Sequence, residues 1–246
     1  MSDYDRFAQK YSEAMGDEGD FHHRVSIDPQ VYSIIGNPMG KYIYDIGCGN
    51  GYMARKLANE GAKVFASDLS EKLINIAKEK SKGLDIQYRA HDATDFSLYQ
   101  NNFLDLVVMN MVIHYVKDLD ELFAGISRVL KKDGVFVFST SHFFRPDYPY
   151  SEWVEGKING KKQLFIKVTG YLKPTLTKVI SWWDSKTELK IYNRPLGILV
   201  NKMSKHGLFT FRVEEPESVG FAKDFPQKLR ESHHIPTFII IGATKK

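Results

Sequence analysis

The chain has 246 residues, 43% of them hydrophobic and 26% charged, which is an ordinary composition for a globular protein. Its 34 basic and 30 acidic residues give a net charge of +4 that is spread along the chain, so a nucleic-acid partner is not expected. The single cysteine, Cys48, excludes an internal disulfide and a cysteine-rich zinc site, and no targeting segment or membrane-spanning apolar run is visible, so we expect a cytoplasmic protein without a membrane partner.

Strand and helix patterns alternate from residue 41 onward. Short apolar runs predict strands, and apolar residues at helical spacing predict helices. The predicted elements are 41–46 (strand), 52–60 (helix), 63–67 (strand), 72–80 (helix), 86–90 (strand), 103–109 (strand), 119–130 (helix), 134–139 (strand), 196–206 (helix), 209–213 (strand) and 237–244 (strand). This alternation predicts right-handed crossovers and a mostly parallel sheet that is covered by helices on both faces.

The alternation stops after Thr140, and roughly fifty aromatic-rich residues follow. They include β-like runs at 164–171 and 177–183. A segment of this length should have structure of its own, so we interpret residues 141–193 as an inserted substrate lid. Five aromatic side chains of the insertion are available to line an apolar pocket, and at least half of them should be core residues instead. They are Trp153, Tyr171, Trp182, Trp183 and Tyr192.

A glycine-rich turn follows the first predicted strand. It reads Asp45-Ile46-Gly47-Cys48-Gly49-Asn50-Gly51, and glycines at such a turn let the backbone approach a ligand. A dinucleotide fingerprint needs a third glycine three places after the second, but position 52 is Tyr. The turn therefore does not fit a nicotinamide dinucleotide.

Two carboxylates accompany the turn. Asp45 precedes it and would repel a pyrophosphate, but it suits a ligand that carries an ammonium and a sulfonium. Asp68 ends the second strand, where an acceptor-only side chain suits both hydroxyls of a ribose. A helix-entry cap is the alternative for Asp68, and a turn-stabilising acid is the alternative for Asp45. The charges favour S-adenosylmethionine as the cofactor.

The first two thirds of the chain resembles the class I S-adenosylmethionine-dependent methyltransferases, especially the small-molecule group called type 11 or UbiE-like. The resemblance is carried by the glycine turn and by Asp68-Leu69-Ser70, His91-Asp92-Ala93, Asp105 to Asn110 and Arg128 to Gly134. It implies a Rossmann-like, doubly wound α/β fold with a seven-stranded, mostly parallel sheet and an antiparallel last strand. We expect one methyltransferase domain over 1–246, with an N-terminal helical cap at 1–40 and the lid after the fifth strand.

The resemblance also implies a set of cofactor-binding positions. Gly47, Cys48 and Gly49 would contact the methionine part of the cofactor, and Asp68 and Leu69 would contact the ribose and adenine. Asp92, with Ala93 beside it, would accept from the adenine amino group, although a surface or cap role stays open for Asp92. The remaining positions implied by the resemblance are Asn110, Tyr11 and Arg24, of which Arg24 is either a clamp for the cofactor carboxylate or a surface residue.

Methyl transfer requires mainly alignment and, for a hydroxyl acceptor, a base. His114 and His142 follow the fourth and fifth strands, so either is a candidate base, and a loop-organising hydrogen bond is the alternative for each. His22 and His23 are weaker candidates. His233 and His234 lack acidic or cysteine neighbours at ligand spacing, so no metal site is predicted.

These observations favour methyl transfer to an oxygen, nitrogen or carbon atom of a small molecule. The alternatives are a nucleic-acid or protein methyltransferase and a non-catalytic protein that binds S-adenosylmethionine. The acceptor and the oligomeric state do not follow from the sequence.

Overall fold

A seven-stranded sheet forms the centre of the protein. The computed structural model describes residues 3–144, 151–217 and 236–246. The strands of the described residues are β1 (Tyr42–Ile46), β2 (Lys63–Asp68), β3 (Ile86–Ala90), β4 (Leu104–Asn110), β5 (Leu130–Ser141), β6 (Ser151–Ile158), β7 (Lys161–Val168), β8 (Thr175–Ile180), β9 (Glu188–Asn193), β10 (Leu208–Glu214) and β11 (Phe238–Lys245). The sheet order is β3-β2-β1-β4-β5-β11-β10, and its neighbours pair in parallel except that β11 runs antiparallel to β5 and β10. The predicted fold class is confirmed.

Helices pack on both faces of this sheet. Ser70 caps the helix Glu71–Lys80, since its Oγ accepts a hydrogen bond from the Leu73 amide at 3.2 Å. In the part of the chain that is described, no helix is both long and apolar enough to span a bilayer. The α-helices are α1 (Ala8–Met15), α2 (Asp28–Ile35), α3 (Tyr52–Asn59), α4 (Glu71–Lys80), α5 (Leu119–Val129) and α6 (Leu196–Lys205), and shorter helical turns cover Asp3–Arg6, His23–Ile27 and Ile113–Tyr115.

Side-chain alternation along the central strands divides the core into two layers. In β1, Tyr44 and Ile46 face the layer that contains α5 and α6, whereas Ile43 faces the layer that contains α2 and α3. All three side chains are completely buried, and burial of each contributes about 1.5–3 kcal/mol. Because both faces are covered, the strand reads as an apolar run that only Asp45 interrupts.

The fifth strand begins earlier than the sequence predicts. β5 starts at Leu130, four residues before the predicted start, and Leu130 pairs with Leu104 of β4. A change of register between Leu104 and Leu106 accommodates the extra residues, and Asp133 takes a φ of +61°. Residues 131–133 are polar, so the apolar pattern that predicts a strand does not include this extension.

The inserted region forms two antiparallel hairpins outside the central sheet. β6 pairs with β7, and β8 pairs with β9. The predicted β-like runs correspond to β7 and β8, but their partner strands β6 and β9 were missed. Both missed strands carry charged residues among their apolar ones. In β6 most side chains reach solvent, whereas in β9 exposed charged residues alternate with buried apolar ones.

Candidate functional site

A cavity of about 900 Å³ lies at the carboxyl ends of β1 to β4, where parallel sheets of this kind bind ligands. The structure brings most of the predicted cofactor residues to its wall. They are Tyr11, Gly47, Gly49, Asp68, Leu69, Asp92, Ala93 and Asn110. Three others, Arg24, Asp45 and Cys48, do not line the cavity.

The glycine turn forms the floor of the cavity. Gly47 has a φ of +69°, and a Cβ atom there would lie 2.4 Å from Cγ2 of Val112. A larger residue at this position would therefore be strained in the backbone and would also clash. The amide of Gly49 donates a hydrogen bond to Oδ2 of Asp68 at 3.0 Å, which joins the turn to the end of β2.

Asp68 is partly exposed to the cavity. Its Oδ1 accepts a second hydrogen bond from the Ser70 amide at 2.9 Å. Each carboxylate oxygen accepts more than one hydrogen bond, so both oxygens can also receive ribose hydroxyls. Burial raises the pKa of Asp68 to about 6, although its two backbone hydrogen bonds lower it. The cap at this helix is Ser70 itself, so the helix-entry cap is not the role of Asp68.

Asp45 lies behind the turn. It is buried, and its Oδ2 has no hydrogen-bond partner among the described residues. Burial, and after it the charge of Asp68, raises the pKa of Asp45 to about 7. A cationic ligand on the turn would offset both effects, so this orphaned oxygen fits S-adenosylmethionine. Cys48 is buried beside it, with a pKa raised well above the ordinary value by burial.

The ends of β3 and β4 supply the opposite wall. Oδ1 of Asp92 accepts from the amide and the hydroxyl of Thr94, each at 2.8 Å, which holds this carboxylate in an exposed turn. Asn110 is fixed from two sides, because its Nδ2 donates to the Tyr52 hydroxyl at 3.3 Å and its Oδ1 accepts from Ser139 Oγ at 3.1 Å. These contacts orient both polar groups before any ligand binds.

Aromatic side chains close the cavity on the side of the insertion. Trp183 follows β8, and its ring lies 5.6 Å from that of Tyr4 and 5.2 Å from that of Tyr11, centroid to centroid. The Tyr4 hydroxyl donates to the Tyr115 hydroxyl at 2.9 Å. The β8–β9 hairpin and the N-terminal segment therefore meet over the cofactor residues. Trp182 also lines the cavity.

The other three aromatic candidates of the insertion are described by the structure and do not line this cavity. Tyr171 packs against Phe143 and Phe144, and Tyr192 lies under the guanidinium of Arg194 at 4.7 Å. Trp153 belongs to β6 and is absent from the described lining.

The two candidate bases lie in different surroundings. His114 lines the cavity, and its Nδ1 lies 3.1 Å from Oγ1 of Thr140. His142 is buried outside the cavity lining, where its Nδ1 accepts from the Phe144 amide at 3.3 Å and its Nε2 lies 2.8 Å from Oε1 of Glu215. Both nitrogens of His142 are thus engaged in organising loops. We retain His114 and withdraw His142 as a candidate base.

Arg24 is exposed and lies away from the cavity, because the helical turn His23–Ile27 directs its side chain to solvent. The same turn places His23, with Asp20, in the cavity wall. His23 was a weaker candidate in the sequence, and Asp20 was not predicted. Their spacing of three residues indicates side chains that lie next to each other on a helical turn.

Within the described residues, no cluster of histidine, cysteine and carboxylate side chains could hold a metal ion. His233 and His234 lie outside those residues.

Comparisons with known proteins agree with this geometry. Residues 44–138 match the family model of a type 11 methyltransferase domain. A ubiquinone biosynthesis O-methyltransferase from Xanthomonas axonopodis pv. citri is 27% identical over 145 residues, and the match covers 57% of this chain but only 61% of that enzyme.

Solved structures extend the similarity to nearly the whole chain. An S-adenosylmethionine-dependent methyltransferase from Mesorhizobium loti has a TM-score of 0.70 and 26% identity, covering 88% of this chain and 96% of that one. A putative S-adenosylmethionine-dependent methyltransferase from Listeria monocytogenes has a TM-score of 0.72 and 24% identity, covering 89% and 97%. Residues 44–138 therefore form a methyltransferase domain of the type 11 group, and the chain as a whole has the fold of S-adenosylmethionine-dependent methyltransferases.

Proposed function

We propose that the protein methylates a small-molecule acceptor that binds beside the cofactor in the cavity beneath the β8–β9 hairpin. The observation that carries this proposal is the size of the cavity and the aromatic side chains that line it. Ligand pockets of roughly 300–1,000 Å³ enclose drug-sized molecules, and this cavity of about 900 Å³ has room for a nucleoside cofactor and a compact acceptor together.

The cofactor site is assigned residue by residue as a proposal. The turn at Gly47 and Gly49 holds the methionine part, Asp68 accepts from the ribose, and Leu69 and Asp92 contact the adenine. When bound, S-adenosylmethionine supplies a methyl group activated by its sulfonium. The protein contributes alignment and the exclusion of water, since the reaction itself is an in-line displacement.

His114 is the proposed base for an acceptor that carries a hydroxyl group. It lies in the cavity wall just beyond β4, and its contact with Thr140 orients the ring. The O-methyltransferase activity named for the Xanthomonas relative supports an oxygen acceptor. That relative matches only 57% of this chain, so the acceptor of the relative is not carried over.

We also propose that the protein acts in the cytoplasm, since its one cysteine is a buried thiol that fits a reducing compartment. The first test is calorimetric titration with S-adenosylmethionine, S-adenosylhomocysteine and NAD in parallel. Saturable binding of the first two alone supports the cofactor assignment. Binding of NAD alone refutes it.

The second test is a screen for methyl transfer to phenols, catechols, amines and carboxylic acids, with RNA and a mixed peptide pool as additional arms. Transfer to a small molecule supports the proposal. Salt-sensitive transfer to RNA would instead favour a nucleic-acid substrate. Tight cofactor binding without transfer to any class would favour a non-catalytic binding protein.

A further inference from the structure

An acidic and a basic side chain meet in the cavity wall between α1 and α2. Nδ1 of His23 lies 2.8 Å from Oδ1 of Asp20, and the same oxygen accepts from the His23 backbone amide at 2.8 Å. Burial alone would raise the pKa of Asp20, but hydrogen bonds and the charge of His23 lower it. Asp20 is therefore a carboxylate that accepts a hydrogen bond from the first residue of the helical turn and also orients the His23 imidazole.

Close backbone packing holds the pair beside the glycine turn. Gly19 has a φ of +88°, and a Cβ atom there would lie 3.0 Å from both Cβ of His23 and Cε2 of Tyr52. The His23 ring meets the Tyr52 ring edge to face at 5.5 Å, and Tyr52 directly follows Gly51 of the turn. The pair is thus anchored to the first residue of α3.

Tyr11 lies beside the glycine turn in the cavity lining. A Cβ atom added to Gly49 would lie 3.1 Å from the Tyr11 ring. Burial raises the pKa of Tyr11, and the carboxylates of Asp68 and Asp20 raise it further. Asp20, Tyr11 and Gly49 line the same cavity, so a ligand seated at the turn lies in the cavity that Asp20 faces.

The amino-acid end of S-adenosylmethionine carries an ammonium and a carboxylate, so its binding site needs groups of both signs. Asp45 and Asp68 supply only negative charge. Among the described residues, arginine does not line the cavity, and the lysines that do, Lys117 and Lys190, belong to the loop after β4 and to β9. Histidine is the remaining basic residue type in the lining, and His23 is joined to the start of α3, directly after the glycine turn, by its ring contact with Tyr52.

We propose that the Asp20–His23 pair binds the amino-acid end of the cofactor, with Asp20 accepting from the ammonium and His23 donating to the carboxylate. This inference rests on the proposed cofactor site. A protonated imidazole donates from both nitrogens, so His23 contacts Asp20 through Nδ1 and the ligand through Nε2. His23 thereby takes the role that the sequence suggested for Arg24.

The test compares two ligands that differ at this end of the molecule. S-adenosylhomocysteine has the complete amino-acid end, whereas 5′-methylthioadenosine keeps the nucleoside and the sulfur but lacks it. Dissociation constants are measured by calorimetry for the wild-type protein and for the variants Asp20→Asn, His23→Gln and Arg24→Gln. Arg24→Gln is the matched control, because it removes an exposed charge from the same helical turn.

Asp20→Asn and His23→Gln should each raise the dissociation constant of S-adenosylhomocysteine by about tenfold to a hundredfold. This is the range expected for loss of a charged hydrogen bond. The affinity for 5′-methylthioadenosine should stay within about twofold, which also shows that the cavity is intact. Arg24→Gln should change neither affinity.

Three results would overturn this assignment. They are equal losses of affinity for both ligands in Asp20→Asn and His23→Gln, an unchanged affinity of these variants for S-adenosylhomocysteine, and a loss of affinity confined to Arg24→Gln. Wild-type protein that binds neither ligand would refute the proposed cofactor site itself, and the inference with it.

Discussion

The backbone amide of Gly49 and the carboxylate of Asp68 form a 3.0 Å hydrogen bond that joins the turn after β1 to the end of β2. The two residues are 19 positions apart, and the bond connects the proposed binding sites for the methionine and ribose parts of the cofactor. Asp68 thus has two roles, since it orders the turn and presents its remaining lone pairs to the cavity.

Replacing Asp68 should weaken cofactor binding. Asp68→Ala removes the acceptors for two ribose hydroxyls, so the dissociation constant for S-adenosylmethionine should rise at least about a hundredfold. Asp68→Asn keeps one acceptor oxygen and should show a smaller loss. Calorimetry gives the affinities, and circular dichroism shows whether the fold is retained. Unchanged affinity in a folded Asp68→Ala protein would refute the ribose assignment.

Cofactor binding should depend on pH. Burial raises the pKa of Asp45 to about 7 and that of Asp68 to about 6, so both carboxyls bind protons in the free protein at mildly acidic pH. A cationic ligand favours their ionised forms, so binding releases protons. The contribution of these two carboxylates to S-adenosylmethionine binding should therefore shrink as the pH drops from 8 to 5.

Titrations in buffers of different ionisation enthalpy measure this proton release directly. S-adenosylhomocysteine lacks the sulfonium charge and should show a weaker dependence. Asp45→Asn should flatten the upper part of the profile near pH 7. A profile that is identical for both ligands would show that the sulfonium does not act on these carboxylates.

Asp45 should cost the ligand-free protein stability at neutral and alkaline pH. Its pKa in the folded state, about 7, lies above the unfolded value of about 3.9, so the folded state binds the extra proton. The free energy of unfolding therefore decreases as the pH rises from about 4 to 7. Three pKa units correspond to about 4 kcal/mol at most.

Asp45→Asn should accordingly raise the free energy of unfolding at pH 8, and the gain should shrink towards pH 5. Urea denaturation of both proteins at the two pH values measures the difference. The buried carboxyl of Asp28 is present in both proteins, so its own effect on stability cancels in the difference between them. A gain of equal size at both pH values would trace the effect to packing and not to charge.

The two histidines after β4 and β5 should respond differently to substitution. Once an acceptor is identified, His114→Gln should lower kcat by about 10²–10⁴-fold if the acceptor is a hydroxyl, the range for a general base, without changing cofactor affinity. His142→Gln should mainly lower stability, because it removes the contact between a buried imidazole and Glu215. Thermal unfolding and steady-state kinetics separate the two effects. Equal loss of kcat in both variants would contradict the assignment.

The local patterns of the chain were enough to predict the central fold and much of the candidate site. The strand and helix periodicities predicted all seven strands of the central sheet. Each buried strand is a short apolar run with turn residues at its ends. The glycine spacing after β1 and the aspartates after β2 and β3 predicted where a cofactor would bind, since the carboxyl ends of parallel strands meet at one edge of the sheet.

The sequence could not predict side-chain direction or contacts between distant segments. Arg24 and His23 are neighbours, yet only His23 faces the cavity, because the packing of Gly19 against Tyr52 sets the rotation of their helical turn. His142 meets Glu215 across 73 positions, and Trp183 meets Tyr4 and Tyr11 across the cavity. Periodicity and motif spacing are properties of neighbouring residues, whereas these contacts exist only after the sheet and the hairpins have brought remote parts of the chain together.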